Sequence, residues 1–517
     1  MTEENISLAK TLMIQGTSSS VGKSVLAAAF CRIFYQEGYF VSPFKAQNMA
    51  LNSFVTSSGG EMGRAQVVQA QAAGVSPDVR MNPVLLKPTG QMGSQVIVLG
   101  KPQGTLSALK YHGEYQRNTW PIVESALTEL LRENEIVIIE GAGSPAEVNL
   151  KQNDIVNMKV ALEFNAPVVL VADIDRGGAL ASVVGTLALL EPEERARVKG
   201  IILNKFRGDI NLLRPALDFL EQKTGVPVLG VVPYYTDFNL PEEDSVILDN
   251  LVSLEPKQEK DLAAKLDIAV IRLPYISNFT DFDALRDEMD VQVRYVKSVA
   301  ELGKPDLIII PGSKNTLADL KFLHDTGLSG ILRNHWSESK PLIGICGGYQ
   351  MMGRVVRDPL RTESDLAEVE GLGILPMETV FYPDKHTVQS HGIVVAKDGI
   401  FGTCCGEAVT GYEIHMGRST FDQGCEDLAL FKLSISGDHY FDGLQQGSAF
   451  GTYLHGIFDN DNLREALLSR LWERRGRERS IVEGCSQAAI REMAFNKLAD
   501  LVRKSIDMEQ VREIMGL

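Results

Sequence analysis

Short apolar runs recur along the chain, separated by stretches in which apolar residues return every three or four positions. In the first half the runs are TLMIQG (11–16), IVIIE (136–140), PVVLVAD (167–173), GIILNKF (200–206) and PVLGVVP (227–233); the amphipathic stretches are 22–37, 179–190 and 211–223. Continuous Val/Ile/Leu runs are what a sheet buried on both faces requires, and their alternation with helical stretches predicts βαβ units around a parallel sheet. At 253–265 the text becomes SLEPKQEKDLAAK, charged and without strand character, and reads as a linker. A second alternation follows: DIAVIRL (267–273), VQVRYV (291–296), DLIIIPG (306–312) and PLIGICGG (341–348). Residues 378–455 read as β-rich and 461–517 as amphipathic helix. The expectation is an α/β domain over 1–252, a linker at 253–265, a second α/β domain over 266–460 and a C-terminal helical extension at 461–517.

Composition narrows the class. A chain of 517 residues exceeds what one core serves, in keeping with two domains. The formal charge of −16 disfavours nucleic acid and anionic membranes as partners, since both need a basic footprint. No apolar run approaches the ~18–20 residues that cross a bilayer. The opening MTEENISLAK is acidic and polar where a secretory signal is basic and then apolar, so a soluble, cytoplasmic protein is expected. The six cysteines are scattered and form no C-x-x-C pair, which indicates neither a cysteine zinc site nor a disulfide framework. Cys404 and Cys405 read as ordinary thiols.

Residues 11–24, TLMIQGTSSSVGKS, place an apolar strand before a loop of small residues, with Gly-Lys-Ser opening a helix. Small residues (Gly16, Thr17, Ser18, Ser19, Ser20, Val21, Gly22) let backbone N–H groups approach phosphate oxygens, and the helix N-terminus adds its positive dipole end. Lys23 is placed for the β/γ-phosphates and Ser24 for Mg²⁺. Five residues separate Gly16 from Gly22, one more than G-x-x-x-x-G-K-S allows, so the loop is a variant. Glu140 closes IVIIE, well placed for the metal or its waters, with Asp173 and Asp175 competing for that role. Asn204, closing GIILNKF, is a candidate to read a purine edge.

The pattern Gly344-x-Cys346-x-Gly348 is the cysteine counterpart of a nucleophile elbow. A sharp strand-to-helix turn exposes the thiol, and the helix N-terminus favours its thiolate. The N–H of Gly347 supplies half an oxyanion hole, and Pro311-Gly312-Ser313 is a candidate for the other half. His455, between a short apolar strand and a glycine, is the best-placed acid/base partner among eight histidines.

PLIGICGGYQMMG with a distant YLHGIF resembles the triad (class I) glutamine amidotransferases. GTSSSVGKS with IVIIEGAGSPAE resembles the dethiobiotin-synthetase-like P-loop enzymes. The cobyric acid synthase family joins these two domains in this order. The segments 42–74, MNPVLLKP (81–88), EGAGSPAEVNL (140–150), VADIDRGG (171–178), LPYISNFTDFD (273–283) and GYEIHMGR (411–418) are similar to it as well. The resemblance implies glutamine-dependent, ATP-driven amidation of the b, d, e and g carboxylates of adenosylcobyrinic acid a,c-diamide through acyl phosphates. It implies Mg²⁺ at Ser24 and Glu140, and Lys45 near the γ-phosphate. Gln47, Asn48 and Arg64 fall near the corrinoid or phosphate. The partner is a small corrinoid; a homo-oligomer is left open. Ammonia released at Cys346 must reach the synthetase site uncharged, which implies a closed path.

Two positions depart from the family patterns. Related amidotransferases carry His-x-Glu, whereas here His455-Gly456-Ile457 offers no carboxylate. Asp459 is the nearest, so the thiol works with a dyad or another acid, such as Glu413, orients the histidine. Ser20 stands where Asp is expected, and no metal role is assigned to it. Three other families or roles share parts of this pattern. Cobyrinic acid a,c-diamide synthase lacks the FKAQNMALNSF…GGEMGRAQ block. Septum-positioning and partitioning ATPases carry an early signature lysine where this chain has Thr17, Ser18 and Ser19. A corrinoid sensor with an inactive amidase domain is a third alternative compatible with the sequence.

Overall fold

The computed structural model describes residues 9–89, 93–107, 116–235, 264–422, 424, 426–435, 437–479 and 486–517. The chain divides into two compact units, one of Met1–Ala50, Glu61–Pro241 and Ile490–Leu517, the other of Leu51–Gly60 and Glu242–Ala489. Residues 253–263 of the expected linker lie outside the described residues. The segment 461–517 is helical where described, but it is shared between the units rather than forming an extension of its own.

In the first unit the apolar runs become β1 (Lys10–Gly16), β2 (Val41–Phe44), β3 (Ile136–Glu140), β4 (Val168–Asp173), β5 (Val198–Phe206) and β6 (Val228–Pro233). They form a parallel sheet in the order β6-β5-β4-β1-β3-β2. β3 and β4 are buried at every position, which is why their sequences are continuous Val/Ile/Leu rather than alternating. Helices α1 (Lys23–Gln36) and α2 (Arg64–Ala72) pack beside β2. The C-terminal Phe495, Leu498 and Val502 enter the same core as Leu26, Phe30 and Phe34 of α1. The strand order changes direction at β1, so its carboxyl end is the crevice where doubly wound sheets bind ligands.

The second unit opens with β7 (Leu266–Ile271), β8 (Val291–Val296), β9 (Leu307–Ile310) and β10 (Leu342–Ile345), all parallel. These continue into the predicted β-rich region. Its longest strands, β11 (Met377–Val394) and β12 (Ala408–Phe421), pair antiparallel; β13 (Asp438–Gln446) leads to β14 (Ala449–Thr452), which lies parallel to β10. No helix among the described residues is long and apolar enough to cross a membrane.

Candidate active sites

In the first unit, Gly16 to Gly22 turn between β1 and α1. A Cβ on Gly16 would lie 2.6 Å from Val21 Cγ2, and Gly22, at φ +103°, would put one 2.1 Å from Asn204 Nδ2. Neither position tolerates a side chain, which explains the glycines at the two ends of the loop. Lys23 Nζ bonds the carbonyls of Ser18 (2.9 Å) and Gly143 (3.0 Å), so its charge is held over the loop. Ser24 Oγ donates to Glu140 Oε1 at 2.8 Å, and Lys45 Nζ reaches the same oxygen at 2.8 Å.

Two residues that sequence reasoning missed complete this cluster. Gln66 and Gln69, one turn apart on α2, donate to Glu140 Oε2 at 3.3 and 2.6 Å. Asn48 Nδ2 in turn donates to Gln66 Oε1 at 2.9 Å. The i, i+3 glutamines of GRAQVVQ were the signal that could have found them. Burial opposes ionisation of Glu140, but the charge of Lys45 and the donors Lys45, Gln69 and Ser24 hold its carboxyl below the ordinary range. The two acids that also close a strand end, Asp173 and Asp175, pair with Lys205 (3.0 Å) and Arg207 (3.0 Å). Lys205 Nζ also donates to Ser20 O at 2.6 Å, so Ser20 takes part through its backbone. Asn204 is fully buried, donates Nδ2 to Val21 O at 2.8 Å, and leaves Oδ1 buried without a partner. Gln47 lies on the short strand Gln47–Met49, and Arg64 is buried at the start of α2.

In the second unit, Cys346 sits between β10 and the helical turn Gly347–Met351 with φ +50° and ψ −105°. That backbone is strained for a residue with a side chain, and the glycines around it show why it persists. A Cβ on Gly348 would lie 2.0 Å from Ile310 O, and one on Gly344 2.5 Å from Met352 Sδ. Cys346 Sγ points at Ile414 O, 3.5 Å away. The first N–H groups of the turn, including that of Gly347, have no partner within it. A Cβ added to Gly347 would lie 2.8 Å from Ser313 N, and one added to Gly312 would lie 3.3 Å from His455 Cε1. The thiol, the histidine and both expected oxyanion-hole glycines therefore converge.

The acid that orients His455 is Asp281. Its Oδ2 lies 2.7 Å from His455 Nδ1, and Oδ1 accepts from Gly456 N at 3.2 Å. Both side chains are buried. A carboxylate on Nδ1 fixes the tautomer and leaves Nε2 for the thiol, with which the ring also bonds. Burial disfavours the imidazolium, but the charges of Asp281 and Cys346, with bonds to both, raise the His455 pKa to about 10. Neither acid suggested by the sequence holds this position. Glu413 bonds Ser390 and Tyr440 and faces His415, and Asp459 is not the partner of Nδ1.

The segment around Asp281 is itself held in place. Asn278, at φ +51°, donates to the Tyr412 hydroxyl (3.1 Å) and Ser53 O (3.2 Å), and Asn52 Oδ1 accepts from Phe279 N (3.0 Å). The Tyr412 ring lies flat against that of His455, centroids 5.2 Å apart.

Family models match both units. Residues 12–247 match the CobQ/CobB/MinD/ParA nucleotide binding domain, and 267–463 the CobB/CobQ-like glutamine amidotransferase domain. Over 509 residues, 98% of each chain, the protein is 70% identical to the cobyric acid synthase of Desulfitobacterium hafniense (strain DSM 10664 / DCB-2). It is 53% identical to that of Moorella thermoacetica (99% of this chain, 98% of the relative) and 48% identical to that of Dehalococcoides mccartyi (strain CBDB1; 98% and 99%). The chain, an enzyme that joins a P-loop nucleotide-binding domain to a glutamine amidotransferase domain, belongs to the cobyric acid synthase family.

Proposed function

We propose that this enzyme converts adenosylcobyrinic acid a,c-diamide to adenosylcobyric acid, amidating the b, d, e and g carboxylates with one glutamine and one ATP each. The observation that carries the reading is the buried Cys346–His455–Asp281 arrangement in a chain that also holds Lys23, Ser24 and Lys45 around a phosphate loop.

At the thiol site, Cys346 attacks the glutamine amide carbon, and the developing oxyanion is met by the N–H groups of Gly347 and Gly312. His455 gives its proton to the departing nitrogen, so ammonia leaves and a γ-glutamyl thioester remains. Water, deprotonated by the same ring, hydrolyses the thioester to glutamate and returns the thiol.

At the phosphate loop, a substrate carboxylate oxygen attacks the γ-phosphorus, ADP leaves, and the acyl phosphate loses phosphate to ammonia. Lys23 and Lys45 carry the positive charge that meets the transferring phosphoryl group. Ser24 Oγ and Glu140 Oε1, 2.8 Å apart and both hard oxygen donors, would hold Mg²⁺. Mg²⁺ bound there supplies further neutralisation of phosphate charge. Asn204 Oδ1 offers an acceptor for an adenine amino group. Gln47, Asn48 and Arg64 are assigned to the corrinoid side. The chemistry suits a cytoplasmic enzyme, where ATP and glutamine are available.

Purified protein given adenosylcobyrinic acid a,c-diamide, ATP, Mg²⁺ and glutamine should yield a product heavier by four amidations. Cys346→Ala should lose the glutamine-driven reaction and keep one driven by high ammonium, whereas Lys23→Ala should lose both. A Cys346→Ala protein that still consumes glutamine overturns the thiol assignment, and a product with fewer amides overturns the substrate assignment.

A further inference from the structure

On β12, Tyr412 lies against His455 and the Ile414 carbonyl meets the Cys346 thiol. Strand alternation turns Glu413 and His415 to the other face. The register sets His386 of β11 opposite His415. Cross-strand partners stand about 4.5–5.5 Å apart, and these two rings have centroids 5.1 Å apart. The three side chains converge, with one ring nitrogen from each histidine and one Glu413 oxygen all within 4.8 Å of one another.

The surrounding hydrogen bonds orient these groups as ligands. His415 Nδ1 lies 2.8 Å from Gly417 O. A carbonyl only accepts, so Nδ1 carries the proton and Nε2 of the neutral ring presents a lone pair. That lone pair faces another acceptor, Glu413 Oε2, at 3.3 Å. The other carboxylate oxygen, Oε1, accepts from Ser390 Oγ at 2.8 Å and from the Tyr440 hydroxyl, which aims Oε2 at the rings. His386 Nε2 stands 3.8 Å from that same oxygen.

Two acceptors facing each other at this distance need a cation between them. A proton on His415 satisfies one pair only, whereas a metal ion uses all three groups. The separation of 3.3 Å matches the edge of a tetrahedron with bonds of about 2.0–2.1 Å. A histidine whose other nitrogen is tied to a carbonyl, beside a carboxylate whose other oxygen is tied to hydroxyls, is the support that metal ligands receive.

We propose that His386, Glu413 and His415 bind a divalent ion of the zinc type, through two imidazoles and one carboxylate, with the fourth position open to solvent beside the half-exposed His386. The ion pins β11 to β12 and so fixes the Ile414 carbonyl against the thiol.

The test uses the full chain carrying Cys346→Ala, which removes the nucleophilic thiol as a competing ligand. The protein is freed of metal with a chelator, then titrated with Zn²⁺ by calorimetry and with Co²⁺ by absorption. One Zn²⁺ should bind per chain, and Co²⁺ should give tetrahedral d–d bands without thiolate charge transfer. Adding His386→Ala or Glu413→Gln should weaken binding at least about tenfold. His386 is half-exposed, so its variant should keep the parent's melting temperature; if Glu413→Gln unfolds, His386→Ala alone decides. No stoichiometric binding by the parent, equal affinity in the folded variants, or a thiolate band overturns the proposal.

Discussion

His455 and Asp281 lie 174 positions apart in the chain, yet the imidazole Nδ1 and the carboxylate Oδ2 are 2.7 Å apart in a buried pair. This contact supplies the orienting acid that His-x-Glu provides in related amidotransferases. Asp281→Asn keeps the shape but offers Nδ1 a partner that does not hold the working tautomer. Glutamine hydrolysis should fall on the order of 10²–10⁴-fold. Amidation driven by added ammonium should persist. Comparing initial rates with the two nitrogen sources checks this; equal losses with both would reject the role.

The same pair makes stability depend on pH. The folded pKa of His455, about 10, lies above its ordinary 6.5. The folded state therefore binds the proton more tightly, and the stabilisation is complete below about 6.5 and fades as pH rises through about 10. Asp281→Asn removes the main source of the shift. The difference in melting temperature between parent and variant should be largest near pH 6 and should narrow towards pH 10.

The sequence made Cys346, its glycines and the phosphate loop legible, because each motif is contiguous and its turn forbids most residues. His455 was legible only beside a family resemblance. Asp281 was not, because LPYISNFTDFD carries no catalytic pattern of its own, and the role comes from the burial of the YISNFTDF loop against Tyr412, Asn52 and Ser53. Glu413 was the more tempting acid on sequence, but strand alternation turns it away from the face on which Tyr412 meets His455. The transfer of Leu51–Gly60 to the amidotransferase unit was hidden for a similar reason, since FKAQNMALNSF runs on without a break in composition.

Glycine substitutions separate backbone crowding from open space. Gly348→Ala would place a Cβ 2.0 Å from Ile310 O and 2.6 Å from its carbonyl carbon, backbone atoms of a buried parallel strand. The elbow has to move, at a cost of about 1–3 kcal/mol or more, and glutamine hydrolysis should be lost. Gly330, inside the helix Leu328–Ser337, has nothing within 4 Å of its hypothetical Cβ. Gly330→Ala should leave activity intact and stabilise by about 0.4–1 kcal/mol. Thermal melts with glutaminase assays on both variants check the contrast.

Lys45 and Glu140 form a buried pair, with side-chain exposures of 7% and 1%. Lys45→Met removes one charge and strands the other, which costs on the order of 3–5 kcal/mol, and ATP-dependent amidation should be lost with either nitrogen source. The pH dependence should change sign. In the parent, the depressed Glu140 pKa gives stability that is present above the ordinary 4.5 and lost as pH falls through the lower folded value. In the variant, burial without Lys45 favours the neutral acid, so the folded pKa lies above 4.5 and stability falls as pH rises. Lys45→Met should therefore melt higher at pH 5 than at pH 8 once the parent's own pH trend is subtracted. A deficit equal at both values would mean that Gln66, Gln69 and Ser24 hold the carboxylate without help from Lys45.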